Sequence, residues 1–348
     1  MKKKSYKVYK SMLNKVYTLQ FINSAKKSLP RGQIQYHIKN YQKYFKLNKK
    51  AFSGKKILET GAGPGVHAAI LSLTGANVCA ADILDTNIKK IKNLKKIYKL
   101  NNLKIVKHDF MKSFPGLKDF DLVACHNWIQ HTPNPQKVFI NLSSKMLPGS
   151  RFYLSCYLSG TFRFFITQIA REIIKDQDFN LIVKKTKKYF SNGFKIFKNP
   201  DNISARHITD DFLSPYVIPT TYKNILSLAK QCGLEPIVRG PKIKNLSFQD
   251  SIPLRLGFIK KEKKILKKKI KNYFVKPVDE FKENKNKYAQ KASKLALNLI
   301  KKKSKLNKNQ RVDICLKLFQ IRAEYCNQTI KDKYIDLIDY LQKINKKI

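Results

Sequence analysis

A doubly wound α/β fold is what this sequence predicts, on three observations. Short apolar runs alternate with stretches of helical periodicity between about residues 56 and 157. The first run ends in a turn with three glycines, ILETGAGPG (57–65), and three of the six carboxylates in residues 50–158 fall at or just beyond the ends of the first three predicted strands. Strands that alternate with helices pair in parallel through right-handed crossovers, and such sheets bind their ligands outside the carboxyl ends of the strands.

The elements follow in order. KILET (56–60) reads as a strand, VHAAILSLTG (66–75) as a helix and ANVCAAD (76–82) as a second strand. LDTNIKKIKNLKKIYKL (84–100) places Ile88, Ile91 and the turn from Leu94 to Tyr98 on one helical face. LKIV (103–106) and FDLVACH (120–126) are strands three and four; a helix spans about Asn134 to Met146, and SRFYLSCY (150–157) is strand five.

Glu59, Asp82 and Asp109 stand at or just beyond the ends of the first three strands. Each has a plain alternative: Glu59 as a cap of the turn, Asp82 as a helix N-cap, Asp109 as a loop acid. In register they describe a site for a ligand with hydroxyls, an amine or a cationic centre. Gly61, Gly63 and Gly65 let the strand-to-helix turn adopt conformations that a Cβ forbids and let a ligand lie against the backbone.

Dinucleotide enzymes also carry a glycine turn, but as GxGxxG with an acid about 20 residues on. Here the turn is GxGxG with Pro64 inside it, followed by Asp82, then HDFMKSFP, then FDLVACHNWIQHTPNPQKVFINLSSKMLPGS. Over about 52–158 this series resembles the class I S-adenosylmethionine-dependent methyltransferases, in particular the methyltransferase-domain group acting mainly on small molecules. The resemblance implies a Rossmann-like seven-stranded sheet and S-adenosylmethionine as cofactor. Glu59 and the Gly61 to Gly65 turn would seat its amino-acid end, Asp82 would bind the ribose hydroxyls, Ile83 would pack beside the adenine, Asp109 would accept from the adenine amino group, and Phe110 would hold the neighbouring adenine-contact position. His126, at the end of strand four, would contact the cofactor or act as a catalytic base; a spectator role stands beside that reading. His131 matches a histidine that supports the loop. LPGS (147–150) fits a turn before strand five, with Ser150 where a second glycine is common. A helix from about Thr221 to Gln231, a sixth strand near Leu234 to Arg239 and a seventh at 253–261 complete the likeness.

The resemblance leaves three additions. Residues 1–49 form an N-terminal helical segment whose QIQYHIKNYQKYFKL would close the cofactor site from above, and 50–261 is the cofactor-binding domain. Within it, about 159–218 reads as a helical cap insertion. Its stripe of Phe162, Phe165, Ile166, Ile169 and Ile173 reads as core before it reads as pocket, with Tyr157, Arg163 and Tyr216 as pocket candidates. Residues 262–348 are a lysine-rich extension of three amphipathic helices, each too short to persist alone, whose apolar faces must pack on one another, on the core or on a partner.

The chain has 348 residues, a net charge of +49 and 72 basic residues. Only nine are Arg, the residue suited to bidentate phosphate contacts, and the excess is spread over every region. A compositional origin and a basic partner surface, RNA included, both remain open. The six cysteines form no CxxC and no metal-ligand spacing, which suits a cytoplasmic protein, and nothing approaches the apolar length of a membrane span. The expected function is methyl transfer to O, N or C of a small molecule, with no metal. The alternatives are an RNA methyltransferase and a non-catalytic cofactor-binding protein whose helices serve a protein partner or self-association.

Overall fold

The computed structural model describes residues 9, 11–14, 29, 31–112, 118–174, 181–182, 184–185, 211, 214–238, 254–262, 273–274, 287–324 and 330–348. Seven strands form one sheet: β1 (Lys56–Thr60), β2 (Asn77–Asp82), β3 (Leu103–Lys107), β4 (Phe120–His126), β5 (Met146–Cys156), β6 (Leu234–Val238) and β7 (Leu254–Lys260). Their order is β3-β2-β1-β4-β5-β7-β6. The chain runs outward from β1 to β3 and then returns to lay β4 on the other side of β1, so the switch point lies between β1 and β4. The crossover helices are α2 (Val66–Ser72), α3 (Asp85–Ile97) and α4 (Pro135–Ser143), preceded by α1 (Arg31–Phe45). Asn134 caps α4 by accepting from the Lys137 amide, with Pro135 in the first turn. α6 (Tyr222–Gln231) is capped in the same way by Thr221.

The expected doubly wound seven-stranded sheet is present: β1 to β5 pair in parallel, and β7 runs antiparallel to both β5 and β6, since neighbouring antiparallel strands need no crossover helix between them. One expectation is corrected. LPGS is part of β5, not a turn before it. Phe120 pairs with Met146 and Leu122 with Arg151, so residues 147–150 bulge from the ladder, with Gly149 at φ 86°. Arg239, the expected end of the sixth strand, lies outside the described residues, as does most of the insertion between 175 and 210.

Register fixes which side chains share a face. Glu59, Ala124, Tyr153 and Gly257 form one row across β1, β4, β5 and β7. Two residues further along, His126, Ser155 and Arg255 form another row on the same face. α1 lies across these rows, burying Tyr41, Tyr44 and Phe45 at helical spacing. A side chain at Gly257 would meet the Tyr44 carbonyl at 1.9 Å, so glycine there lets the helix backbone touch the sheet. Tyr44 stacks on Tyr153 with ring centroids 5.1 Å apart.

Four further helices share a separate apolar core. α5 (Phe162–Ile174) from the insertion packs with α7 (Lys287–Lys301), α8 (Lys308–Glu324) and α9 (Ile330–Lys347) from the C-terminal region. The stripe of Phe162, Phe165, Ile166, Ile169 and Ile173 is buried there among Ala289, Ala292, Ala296, Phe319 and Leu337. Tyr334 sets its ring edge against Phe162 at 5.0 Å and against Phe165 at 5.8 Å. At the edge of this core, Asp211 is fully buried and accepts from Arg163 of α5 at 3.0 Å and from Arg322 of α8. No helix among the described residues is long and apolar enough to cross a membrane.

Candidate functional site

The site lies at the carboxyl ends of β1, β2 and β4. Gly61, Gly63 and Gly65 have φ of 56°, 54° and 88°, a left-handed path that L side chains rarely adopt. A Cβ on Gly61 would lie 2.4 Å from Trp128 Cγ, and one on Gly65 would lie 2.8 Å from Ile91 Cγ1. Those two glycines therefore also make room for the chain's own packing. Trp128 donates from its indole N–H to Thr60 Oγ1 at 3.0 Å and sets its ring 5.3 Å from that of Phe110.

Glu59, the next-to-last residue of β1, is 1% exposed, and its Oε2 has no hydrogen-bond partner among the described residues. Burial pushes its carboxyl well above the usual carboxylate range. An orphaned buried carboxylate beside a glycine turn fits an ammonium group, the kind carried by the amino-acid end of S-adenosylmethionine.

Asp82 is 5% exposed and already engaged by its own chain. Oδ2 accepts from the Gly63 amide at 2.8 Å; Oδ1 accepts from the Leu84 amide at 2.9 Å and from Asn87 Nδ2 at 3.2 Å. Burial raises its pKa and these donors oppose the rise. Two carboxylate oxygens offer about four acceptor sites, and these three donors leave about one, enough for a single ribose hydroxyl. Ile83 is half-buried and packs with Leu84, Tyr9, Leu13 and Tyr216. Asp109 accepts from the Met111 amide at 3.1 Å, and Phe110 is buried, its carbonyl accepting from Asn141 Nδ2 at 3.0 Å.

His126 meets two histidines that sequence reasoning did not single out. Its ring centroid is 4.0 Å from that of His67, in the first turn of α2, and 6.4 Å from that of His37 on α1; His37 and His67 are 4.4 Å apart. Tyr41 places its hydroxyl 2.8 Å from His67 Nδ1. Burial, and then Glu59, push the Tyr41 hydroxyl well above its usual range, so it stays neutral. The signal for these partners was present as polar residues on the buried face of QIQYHIKNYQKYF and as a histidine two residues after Gly65.

His131 is 2% exposed, its Nδ1 lies 3.1 Å from the Tyr216 carbonyl, and its own carbonyl accepts from the Tyr9 hydroxyl at 3.2 Å. Burial lowers its pKa to about 4, so at neutral pH it is an uncharged brace. Tyr157 stands between His131, 5.4 Å away, and the Arg163 guanidinium, 5.4 Å over its ring. Gln130, also missed, is fully buried, and neither heteroatom of its side-chain amide has a partner among the described residues.

Strand order, switch-point glycine turn and strand-end acids together define the class I S-adenosylmethionine-dependent methyltransferase domain. The family described as methyltransferase domain matches residues 58–154, and that segment is such a domain. Ubiquinone biosynthesis O-methyltransferase of Dechloromonas aromatica is 29% identical over 107 residues, which are 30% of this chain and 45% of that one. The protein of the same name from Chromobacterium violaceum is 24% identical over 141 residues, 40% of this chain and 58% of that one. The chain thus spans about half the length of these curated relatives. Among solved structures, Burkholderia thailandensis 1,6-didemethyltoxoflavin-N1-methyltransferase, with 1,6-didemethyltoxoflavin and S-adenosylhomocysteine bound, aligns at a TM-score of 0.45 and 12% identity over 73% of this chain and 89% of that one.

Proposed function

We propose that the chain is an S-adenosylmethionine-dependent methyltransferase that transfers a methyl group to an O, N or C atom of a small molecule. The observation that carries this reading is the buried Glu59 oxygen, unpartnered among the described residues, beside the Gly61 to Gly65 turn within a segment that is a methyltransferase domain. When bound, the cofactor supplies an electrophilic methyl group on a sulfonium. Glu59 holds its ammonium, Asp82 a ribose hydroxyl, Ile83 and Phe110 flank the adenine, and Asp109 takes the adenine amino group. His126, at the end of β4, lines the edge where transfer occurs and serves as the base where an acceptor must lose a proton. The protein's share of catalysis is alignment and exclusion of water, as expected for an in-line displacement.

Residues 50–261 serve as the catalytic unit, 1–49 as its cover, about 159–218 as the cap that selects the acceptor and 262–348 as the support of that cap, in a cytoplasmic protein. A small acceptor is preferred to RNA because the extension's apolar faces are covered by one another and by α5, which leaves its charge, not a built surface, as the argument for nucleic acid. The same packing weakens a role in assembly. The test supplies purified protein with radiolabelled methyl donor and a fractionated cell extract. Label in a low-molecular-weight fraction supports the reading; label only in RNA, or binding of NAD in place of S-adenosylmethionine, overturns it.

A further inference from the structure

Arg255, the second residue of β7, sits in one sheet row with Ser155 of β5 and His126 of β4. That row lies at the carboxyl ends of β4 and β5, the rim where such a sheet takes its ligands. The Arg255 Nε is buried and has no hydrogen-bond partner among the described residues. A guanidinium N–H withdrawn from water and left unmatched is costly. The one acid in this row and the next, Glu59, stands three strands away, roughly 14 Å by strand spacing, too far to neutralise it.

Phenols surround the guanidinium. Tyr36 of α1 is hydrogen-bonded to it, and that bond draws the hydroxyl below its usual range. Tyr44 bonds to it as well, although burial, the larger effect, raises that hydroxyl. A guanidinium has more donors than two phenols accept. Tyr153 pairs with Gly257 and so stands diagonal to Arg255 on the same face, within reach of a long side chain. Its hydroxyl is buried with no hydrogen-bond partner among the described residues, although Ser155 lies close to it, and burial keeps it neutral. A neutral phenol O–H and a guanidinium N–H, both unmatched, thus occupy adjacent positions of one face. Tyr36 is 53% exposed, which opens the guanidinium to solvent from the α1 side.

Resting on the methyltransferase reading, we propose that Arg255, with Tyr36 and Tyr153, binds a carboxylate of the methyl acceptor, so that the acceptor is an acidic small molecule. A carboxylate is planar and meets a guanidinium through two parallel bonds, the strong form of this contact. Arg255 is two strands from His126, roughly 10 Å along the row. The carboxylate is therefore a handle remote from the atom that receives the methyl group, and the product keeps its charge.

The test supplies the full chain and radiolabelled S-adenosylmethionine with the small molecules of a cell extract, divided on an anion exchanger into a retained, acidic pool and an unretained one. Label should enter the retained pool, and the labelled product should still be retained after phosphatase treatment. Arg255→Gln should raise the amount of that pool needed for half-maximal rate by about tenfold to a hundredfold, the loss expected for hydrogen bonds to a charged group. Arg255→Lys should recover part of it. S-adenosylhomocysteine binding, followed by calorimetry, should be unchanged in both, whereas a residue that only fastened α1 would move cofactor affinity and rate together. Should the variants not fold, the choice of pool by the natural sequence decides. Label mainly in the unretained pool, retention lost to phosphatase, or an unaltered half-saturation in folded Arg255→Gln overturns the inference and leaves the transferase reading in place. Label in neither pool overturns that reading and this inference with it.

Discussion

The Asp82 carboxylate holds the Gly63 amide at 2.8 Å, so the acid that ends the second strand pins the turn that follows the first. One side chain therefore shapes the turn and, in the proposed function, also holds the ribose. Asp82→Ala should weaken S-adenosylmethionine binding by about tenfold to a hundredfold, the equivalent of about 1.5 to 3 kcal/mol for hydrogen bonds to a charged group. It should also lower the Tm by several degrees, because the amides of Gly63 and Leu84 lose their acceptor. Calorimetry and a thermal melt on the same sample check both; an unchanged dissociation constant in a folded variant removes Asp82 from the site.

Glu59 couples stability to binding in the opposite sense. Its folded pKa is raised well above the usual carboxylate value by burial, so the folded state holds a proton that the unfolded state releases. Stability from this group is full below the unfolded pKa, near 4, and is lost as pH rises through the folded one. Glu59→Gln removes that loss. The variant should melt higher than the natural protein at about pH 7 to 8, with the gap closing towards about pH 4, and should bind S-adenosylmethionine more weakly because the ammonium has lost its anion. A melt series across pH, with calorimetry at neutral pH, tests the pair of signs.

Much of this was legible in the sequence because it rests on local chemistry. KILET, NVCAAD and FDLVACH are short runs with apolar centres, bounded by turn residues, which suit strands buried on both faces, and a left-handed turn needs its glycines wherever it occurs. What was not legible depends on which elements meet. No pattern of spacing within α1 says that His37 reaches His67 and His126, because the contact is made by the docking of that helix across β5 and β7. The antiparallel run of β7 was equally hidden, since strand direction is set by the connection and not by the strand's residues. LPGS misled for a different reason: a proline and a glycine suit a bulge as well as a turn. The unpartnered Gln130 amide could not be read either, since burial of a polar side chain is a property of its neighbours.

His131 sets a limit on acid stability. Its folded pKa of about 4 lies below the usual histidine value near 6.5, with burial as the main cause. The unfolded chain therefore binds the proton first, and stability falls as pH drops from about 6.5 to about 4, by as much as about 3 kcal/mol from this residue. His131→Gln, uncharged throughout and able to reach the Tyr216 carbonyl, should flatten that part of the acid profile. Urea melts at about pH 7 and about pH 5 would show the natural protein losing more stability than the variant; equal losses would mean that His131 opens to solvent before it titrates.

The C-terminal helices bear on where the catalytic unit ends. Every residue assigned to the cofactor lies before Lys261, which taken alone says that a chain ending there keeps its cofactor affinity. The packing adds a cost. Phe162, Phe165, Ile166, Ile169 and Ile173 on α5 are covered by α7, α8 and α9, and Arg322 of α8 reaches the buried Asp211 carboxylate. Truncation would uncover that stripe, and each large apolar side chain returned to water costs about 1.5 to 3 kcal/mol. The truncated chain should therefore aggregate or melt well below the full chain, and cofactor binding should survive only where the sheet stays folded without its cap. Arg322→Met separates the two contributions, since it keeps the apolar stem and removes the charge. With Arg163 still 3.0 Å from Asp211, part of the carboxylate's compensation remains, and the loss should be about 3 kcal/mol or somewhat less, near the lower end for breaking a buried ion pair. Denaturant melts of both variants beside the full chain give the comparison. A truncated chain that is soluble and as stable as the full one would show that α5 does not depend on the extension.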